Sequence, residues 1–570
     1  MPRVKKPTVE AIKLDSNYLS GNLAEQLSSD TTHVDEAGYQ LLKFSGMYQQ
    51  DDRDRRKALR KEGKDKDYSF MVRTKLPGGI MSAEQYLVHD ELASRFGNET
   101  LRFTTRQGIQ LHGIVKGDIK PMLQAFDDAL VTTLAACGDV VRNVMACPAP
   151  KKDREHALLE EAVNALEAQF LPRSSGYYDL WLNGKRVEQA PQPAPHTPPV
   201  DEVEPIYGKT YLPRKFKIGI AFPHDNCVDV FTQDIGIVPV LDGDTLQGYN
   251  ILVGGGLGMK HTDETTFPKL AQPLGFVEPD DLVKAAEVIL SIQRDHGNRE
   301  KRTRARMKYL IHEWGMPKFR AEFEARFGKP MGEWLEVGPF TLDDHLGWHA
   351  QGDGRYFYGI PVENGRIKDE GEMRLRTALR KISERFGTEL RITAQHNLLV
   401  TDLEESEQEE LLALLKNHGV RTKDDISKAR RYSIACPALP TCGLALTESE
   451  RIMPEVVDGL EQTLAALGLE NEDISVRMTG CPNGCARPYT AELAFVGRSL
   501  DRYKIFVGGS FEGLHLATEY ADMVPTGELI ETVQPLLESW QQKREQGERF
   551  GDFCRRVGVE RLQETLLAPA

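Results

Sequence analysis

Residues 95–104 read Arg95-Phe96-Gly97-Asn98-Glu99-Thr100-Leu101-Arg102-Phe103-Thr104, and residues 385–393 read Arg385-Phe386-Gly387-Thr388-Glu389-Leu390-Arg391-Ile392-Thr393. Each copy follows a helix-like segment and leads into a strand. Downstream of each lies a second echo, Met145-Ala146-Cys147-Pro148 and Ile434-Ala435-Cys436-Pro437. A third pairs Leu252-Val253-Gly254-Gly255-Gly256 with Phe506-Val507-Gly508-Gly509-Ser510. A period near 290 residues is too long for a solenoid and implies that a half-protein was duplicated. The glycine triplet fits neither G-x-G-x-x-G nor a P-loop. It reads instead as a tight turn where backbone approaches a cofactor closely.

Working outward from the first copy, residues 101–112 read as a strand with two unlike faces. Leu101, Phe103, Ile109 and Leu111 fall on one side, with Thr105 and Gln107 among them. Arg102, Thr104, Arg106, Gly108, Gln110 and His112 fall on the other. The second copy repeats this, with Arg391, Thr393, Gln395 and Asn397 opposite Leu390 and Ile392. One arginine on a strand is ordinarily just solvated; the same donor-rich face in two repeats points to an anionic ligand. Further basic residues are Arg214, Lys215 and Lys217 in Leu212-Pro213-Arg214-Lys215-Phe216-Lys217, Arg142 beside the Cys147 loop, and Arg73 before Leu76-Pro77-Gly78-Gly79. Lys215 and Lys217 would share a side in an extended segment.

Cys436, Cys442, Cys481 and Cys485 form a C-x5-C pair and a C-x3-C pair set in Pro- and Gly-rich turns, Ala435-Cys436-Pro437 to Cys442 and Gly480-Cys481-Pro482-Asn483-Gly484-Cys485. Four convergent thiolates mean an iron–sulfur cluster or a zinc ion. The x5 arm lies outside the closer knuckles usual for zinc. Cys137, Cys227 and Cys554 read as buried structural thiols.

The 570 residues suffice for three or four domains, and 40% hydrophobic with 28% charged residues is ordinary globular composition. The net charge of −14 argues against general nucleic-acid binding and makes any basic cluster a specific anion site. We expect a cytoplasmic chain without a signal core or membrane span, in which cysteine serves metal or redox roles. Residues 1–66 read as a charged, irregular arm, and Pro191–Pro199 as an extended linker.

Taken together, the cysteine motifs, Thr104-Thr105-Arg106-Gln107, the Arg214–Lys217 run and Tyr48-Gln49-Gln50-Asp51-Asp52-Arg53-Asp54 resemble the siroheme sulfite/nitrite reductase family over nearly the whole chain. The resemblance implies a pseudo-twofold α/β (α+β) fold in three domains. Residues 67–143 and 338–418 would form ferredoxin-like central halves, and 144–337 and 419–570 two related α/β domains, after the 1–66 arm. It implies a [4Fe–4S] cluster on Cys436, Cys442, Cys481 and Cys485, with Cys485 also the axial ligand of siroheme iron. Arg102, Arg106, Gln110, His112, Arg214, Gln395 and Asn397 would bind the siroheme carboxylates; Arg73, Arg142, Lys215 and Lys217 would surround the substrate. The implied reaction is six-electron reduction of sulfite to sulfide for cysteine biosynthesis, with nitrite reduction to ammonia as the alternative. Nitrite enzymes of the family typically carry Asn where Lys217 stands, which favours sulfite. With no flavin or nicotinamide motif visible, electrons would come from an NADPH-dependent flavoprotein subunit or a ferredoxin.

Overall fold

The protein is described here from a computed structural model covering residues 8–173 and 203–567; the linker reading at Pro191–Pro199 lies outside the described residues. Four five-stranded sheets occur as two matched pairs. The first pair is wholly antiparallel. One sheet orders its strands Met47–Asp51, Tyr68–Arg73, Ile109–Ile114, Leu101–Phe103 and Arg366–Ile367. The other orders them Gly347–Ala350, Tyr356–Ile360, Leu398–Leu403, Leu390–Ile392 and Ile80–Met81. The fifth strand of each sheet comes from the other copy, so each repeat covers one edge of the other's sheet.

The helix Ala83–Arg95 begins in a capping box, Ser82 Oγ accepting from Gln85 N at 3.2 Å and Gln85 Oε1 accepting from Ser82 N at 3.1 Å. Its counterpart Leu375–Phe386 buries Leu375, Ala378, Leu379 and Ile382 along one face and stops at Gly387, whose φ of 63° suits glycine. Between these helices Asp90 is buried, taking Arg376 Nε at 2.5 Å while Arg380 Nε reaches its second oxygen at 2.5 Å. Removing one member of such a buried pair strands the other charge. Asp90→Ala is therefore expected to cost about 3–5 kcal/mol, read as a lowered thermal midpoint at neutral pH.

The second pair of sheets is mixed. Met145–Ala146, Ile218–Ile220 and Ile235–Asp242 run parallel, followed by antiparallel Thr245–Val253 and Gln272–Val277. Ser433–Ala435, Val476–Thr479, Leu493–Ser499, Arg502–Val507 and Thr518–Pro525 repeat that order.

Two expectations are corrected. Residues 101–112 are not one strand but the hairpin Leu101–Phe103 and Ile109–Ile114, with Arg102 facing Gln110 and Leu101 facing Leu111. The turn consumes five residues and returns the chain with the same two faces, so the alternation survived while the connectivity did not. Gln107 at its apex adopts φ 56° and donates to the carbonyls of Gly78, Ala146 and Ile392 at 2.9–3.1 Å. Residues 8–66 are also not irregular. They form helices such as Val9–Asp15 and Glu36–Leu42, and the edge strand Met47–Asp51. Ile12, Leu23, Leu41, Leu42 and Met47 are buried there; the charged run after residue 50 masked this apolar pattern.

Candidate active site and cysteine cluster

The four cysteines converge from two loops at the ends of parallel strands. Cys436 directly follows Ser433–Ala435, and Cys481 to Cys485 follow Val476–Thr479. Gly480 N donates to Cys436 Sγ and Asn483 Nδ2 to Cys481 Sγ, both at 3.4 Å. Burial pushes the thiols of Cys436, Cys442 and Cys481 up, Cys481 to about 12, and the Cys485 thiolate is the next cause for each of the three. Thiolates placed to repel one another need a cationic core between them, which a [4Fe–4S] cluster supplies.

Arg53, from the N-terminal region, clamps the first loop. Its Nη1 donates to Cys442 O at 3.0 Å and Ala445 O at 2.5 Å, and its backbone N to Pro440 O at 3.2 Å. Arg53→Ala frees those carbonyls. We expect faster loss of iron on dilution or oxidation, measured as iron per chain over time, with secondary structure unchanged.

Beside Cys485 opens a cavity lined by Arg106, Lys215, Lys217, Arg306 and Arg487. Thr105 Oγ1 donates to Cys485 O at 3.1 Å, tying the first hairpin turn to the cysteine loop of the other half. Lys215 and Lys217 lie in the extended segment entering Ile218–Ile220. Burial, then Arg214 and Arg306, push Lys215 down to about 7 although Cys485 opposes this; burial, then Lys215 and Arg106, hold Lys217 well below the usual lysine range. Arg106 is lowered to about 9 by burial and then by Arg142. So many cations depressing one another mark a place built for an anion.

Arg106 also donates to Gln233 Oε1 at 2.8 Å and to Asn143 O at 2.5 Å, while its Nε has no partner. Arg73 Nη1 lies 3.0 Å from Cys137 Sγ, and its Nε donates at 3.0 Å to Gln110, whose amide oxygen must face it. Arg142 is held by Gly138 O at 2.9 Å and Ala136 O at 3.0 Å. His112 Nδ1 lies 3.3 Å from Gln50 Oε1, and its Nε2 is buried without a partner. Buried orphans at Arg106 Nε, His112 Nε2 and Arg487 Nε fit a polyanionic macrocycle that would satisfy them.

Not every expected residue reaches this cavity. Gln395 and Asn397 line a different one, with Asn364, Arg366 and Glu450. Gln395 Nε2 donates to Cys227 O at 2.8 Å, and Asn397 Oδ1 accepts from Val362 N at 3.0 Å. Arg102 is committed to Glu450 and, at 2.7 Å, to Ala435 O, so it braces the strand before Cys436. Arg214 lies 3.8 Å from Asp139.

Asp139 is a buried hub that also takes both Arg302 nitrogens at 2.8 and 3.0 Å and Lys13 at 3.5 Å. Burial pushes its carboxyl up, but Arg302, Lys13 and Arg214 more than offset this and hold it at about 2. Against an ordinary value near 3.9 this contributes roughly 2–3 kcal/mol, present above about pH 4 and lost as pH falls through about 2. Asp139→Asn should lower the urea midpoint at neutral pH and flatten its fall on acidification.

Arg306, Arg477, Arg487 and Lys308 were missed. Arg306 grips Asp234 at 2.8 and 3.1 Å, and Arg477 and Arg487 share Asp229 at 3.3 and 2.8 Å. The basic run Arg299 to Lys308 in an acidic chain was the available signal. The glycine loop packs against the second cysteine loop. A Cβ on Gly258 would stand 2.9 Å from Asn483 O, Met259 N donates to Pro482 O at 2.8 Å, and Lys308 Nζ ties Gly256 O and Gly258 O at 2.9 and 2.8 Å.

Comparison with known proteins places the chain in a family. Residues 137–331 and 428–569 match the nitrite and sulphite reductase 4Fe-4S domain, and 61–129 and 349–418 match the nitrite/sulfite reductase ferredoxin-like half domain. The chain belongs to the nitrite and sulfite reductase family. Family membership carries the oxidoreductase class, the duplicated fold and the pairing of siroheme with a [4Fe–4S] cluster. The chain is 46% identical to "Sulfite reductase [ferredoxin]" of Synechococcus elongatus, over 98% of this chain and 91% of that protein. It is 43% identical to "Sulfite reductase [NADPH] hemoprotein beta-component" of Geobacillus thermodenitrificans, over 97% and 95%. Its fold is similar to that of the Mycobacterium tuberculosis NirA protein, with a TM-score of 0.73 and 23% identity over 96% and 95% of the chains. Among the described residues no helix is long and apolar enough to cross a membrane.

Proposed function

We propose that this chain is the siroheme-bearing component of an assimilatory sulfite reductase, reducing sulfite to hydrogen sulfide with six electrons. The observation that carries this reading is the cavity that sets Arg106, Lys215 and Lys217 around Cys485. Cys436, Cys442, Cys481 and Cys485 would hold the cluster, and Cys485, which also lines the cationic cavity, would link it to the siroheme. When bound, the siroheme supplies a metal centre for the sulfur, and the cluster supplies electrons to it. Lys215, Lys217, Arg73 and Arg142 hold the oxyanion and offset its charge as oxygens leave as water. Protons come from Nζ of Lys215 or Lys217; burial lowers both, and Lys215, at about 7, suits a general acid near neutrality, whereas arginine stays protonated. Arg106, Gln110, His112 and Arg214 bind siroheme carboxylates, and Arg102 braces the strand before Cys436.

The electron donor is a separate protein. We infer an NADPH-dependent flavoprotein subunit, and the ferredoxin named in the Synechococcus relative is the second reading. We place the chain in the cytoplasm, beside either donor. Chain co-produced with siroheme synthesis should yield siroheme on acid–acetone extraction and four acid-labile sulfides per chain. A colourless protein that binds only zinc at these cysteines would overturn the reading. Mixing the loaded protein with each donor and following sulfide release would then distinguish the two donors.

A further inference from the structure

The first half of the chain carries its own cluster of metal-ligating side chains, apart from the cysteines described above. Cys147, Asp225, Cys227 and His345 offer four ligand atoms that all lie within 4.8 Å of one another. Cys147 Sγ is 2.7 Å from Asp225 Oδ2 and 3.5 Å from His345 Nε2, and His345 Nε2 is 3.0 Å from Asp225 Oδ2. All four residues are buried. Cys227, read from sequence as a structural thiol, thus has three ligand-type neighbours.

The placement repeats that of the cluster cysteines. Cys147 directly follows the edge strand Met145–Ala146, as Cys436 follows Ser433–Ala435. Cys227 stands two residues before Asp229, a left-handed residue (φ 53°) that begins the turn Val230–Thr232. Cys485 stands two residues before Arg487, also left-handed (φ 56°), which begins Pro488–Thr490. Cys147 and Cys227 therefore occupy the repeat positions of Cys436 and Cys485. The same backbone frame that aims two cluster thiolates at a common centre aims this pair at another.

The other two ligands differ in kind. Where the second half supplies Cys442 and Cys481, the first supplies a carboxylate and an imidazole. The segment bearing His345 is pinned to the Asp225 loop by Thr341 N to Pro223 O at 2.8 Å and Asn226 N to Thr341 O at 2.7 Å. His345 is left-handed, with φ 55°. A Cβ on Gly359 would lie 1.9 Å from its carbonyl oxygen, so this strained residue is packed where only glycine leaves room. Its free Nδ1 points toward Asp343 Oδ2 at 3.9 Å, the carboxylate–histidine arrangement that orients a metal-bound imidazole.

We propose that Cys147, Asp225, Cys227 and His345 bind one zinc ion at a closed structural site. Two sulfurs, one nitrogen and one oxygen make a tetrahedral set, whose edges at ordinary zinc–ligand distances are about 3.3–3.8 Å. The His345 contacts of 3.0 and 3.5 Å approach that scale. The ligand set and the lack of an open position suit zinc held for structure, joining the first α/β sheet to the segment entering the second repeat. Four ligands of mixed type are too few thiolates for a second cubane.

Metal analysis of the purified holoenzyme tests this. About one zinc per chain is expected besides the iron, with a zinc K-edge spectrum showing two sulfurs near 2.3 Å and lighter ligands near 2.0 Å. Cys227→Ala should lose the zinc while keeping cluster iron, siroheme absorbance and cluster EPR, with a lower thermal midpoint. The wild-type spectrum decides the matter even where the variant does not fold. Holoenzyme that contains no zinc, and retains none after incubation with zinc chloride and desalting, overturns the proposal and leaves a hydrogen-bonded thiol–imidazole–carboxylate cluster.

Discussion

Cys485→Ser is expected to reduce sulfite turnover by three orders of magnitude or more (~10³-fold) while the chain still folds, because one atom is asked to do two things. Cys485 is the exposed member of the quartet and the one that lines the cationic cavity. Its thiolate also affects each of the other three thiols. Serine keeps the shape but is a poor soft ligand, so both the cluster and its link to the cavity are weakened. The measurement is turnover with a reduced viologen, together with iron per chain and the EPR of the reduced protein. Cys554→Ser, in a thiol buried in the core of the last domain, is the control and should leave turnover within a few fold. Equal turnover of Cys485→Ser and wild type would remove Cys485 from the electron path.

The second large effect is expected at the paired lysines. Lys217→Ala should lower kcat by about 10²–10⁴, with a smaller change in KM, because the proton delivered as an S–O bond breaks matters more than ground-state binding. Lys215→Ala should act in the same direction. Lys215 is held at about 7, against an ordinary value near 10.4, by burial and by Arg214 and Arg306. A lysine with a lowered pKa is a proton donor below that value, so the acid form dominates under about pH 7 and fades above it. Siroheme carboxylates bound nearby would raise the value. The pH profile of kcat should therefore lose its alkaline limb in whichever variant removes the donor. Lys→Arg variants restore charge but not acidity, and should recover KM before kcat. If Lys217→Ala left kcat and its pH profile unchanged, that lysine would be out of the proton path.

Much of this was legible in the chain because the repeat is written in residue order. The pairs around Leu101 and Leu390, and around Cys147 and Cys436, predicted matched halves, and four sheets in two matched pairs follow. Alternation alone sorted Arg102, Gln110 and His112 from Leu101, Phe103, Ile109 and Leu111 even though a turn intervenes. Periodicity could not reveal the turn: Gln107 takes a left-handed conformation that no glycine at that position signals. Reciprocal exchange of the short strands Ile80–Met81 and Arg366–Ile367 was equally hidden, since two-residue strands carry no pattern.

The site residues divided along similar lines. Arg106, Lys215, Lys217 and Cys485 meet around one cavity although they come from separate parts of the chain. Gln395 and Asn397, assigned to the same shell as Arg106 by the resemblance, sit at another cavity with Asn364, Arg366 and Glu450. Arg487 was invisible as a site residue because it meets its partner Asp229 only in three dimensions, whereas Arg306 lies in a basic run that the chain does show. Cys227 escaped for the same reason as Arg487, two of its three ligand-type neighbours lying 80 residues before it and 118 after it.

The most direct test of the central claim is steady-state turnover of cofactor-loaded protein with a reduced viologen, comparing kcat/KM for sulfite and nitrite and quantifying sulfide. The account predicts a clear preference for sulfite, with sulfide formed at one molecule per six electrons consumed. A clear preference for nitrite, with ammonia as product, would contradict the assignment of substrate that rests on Lys217.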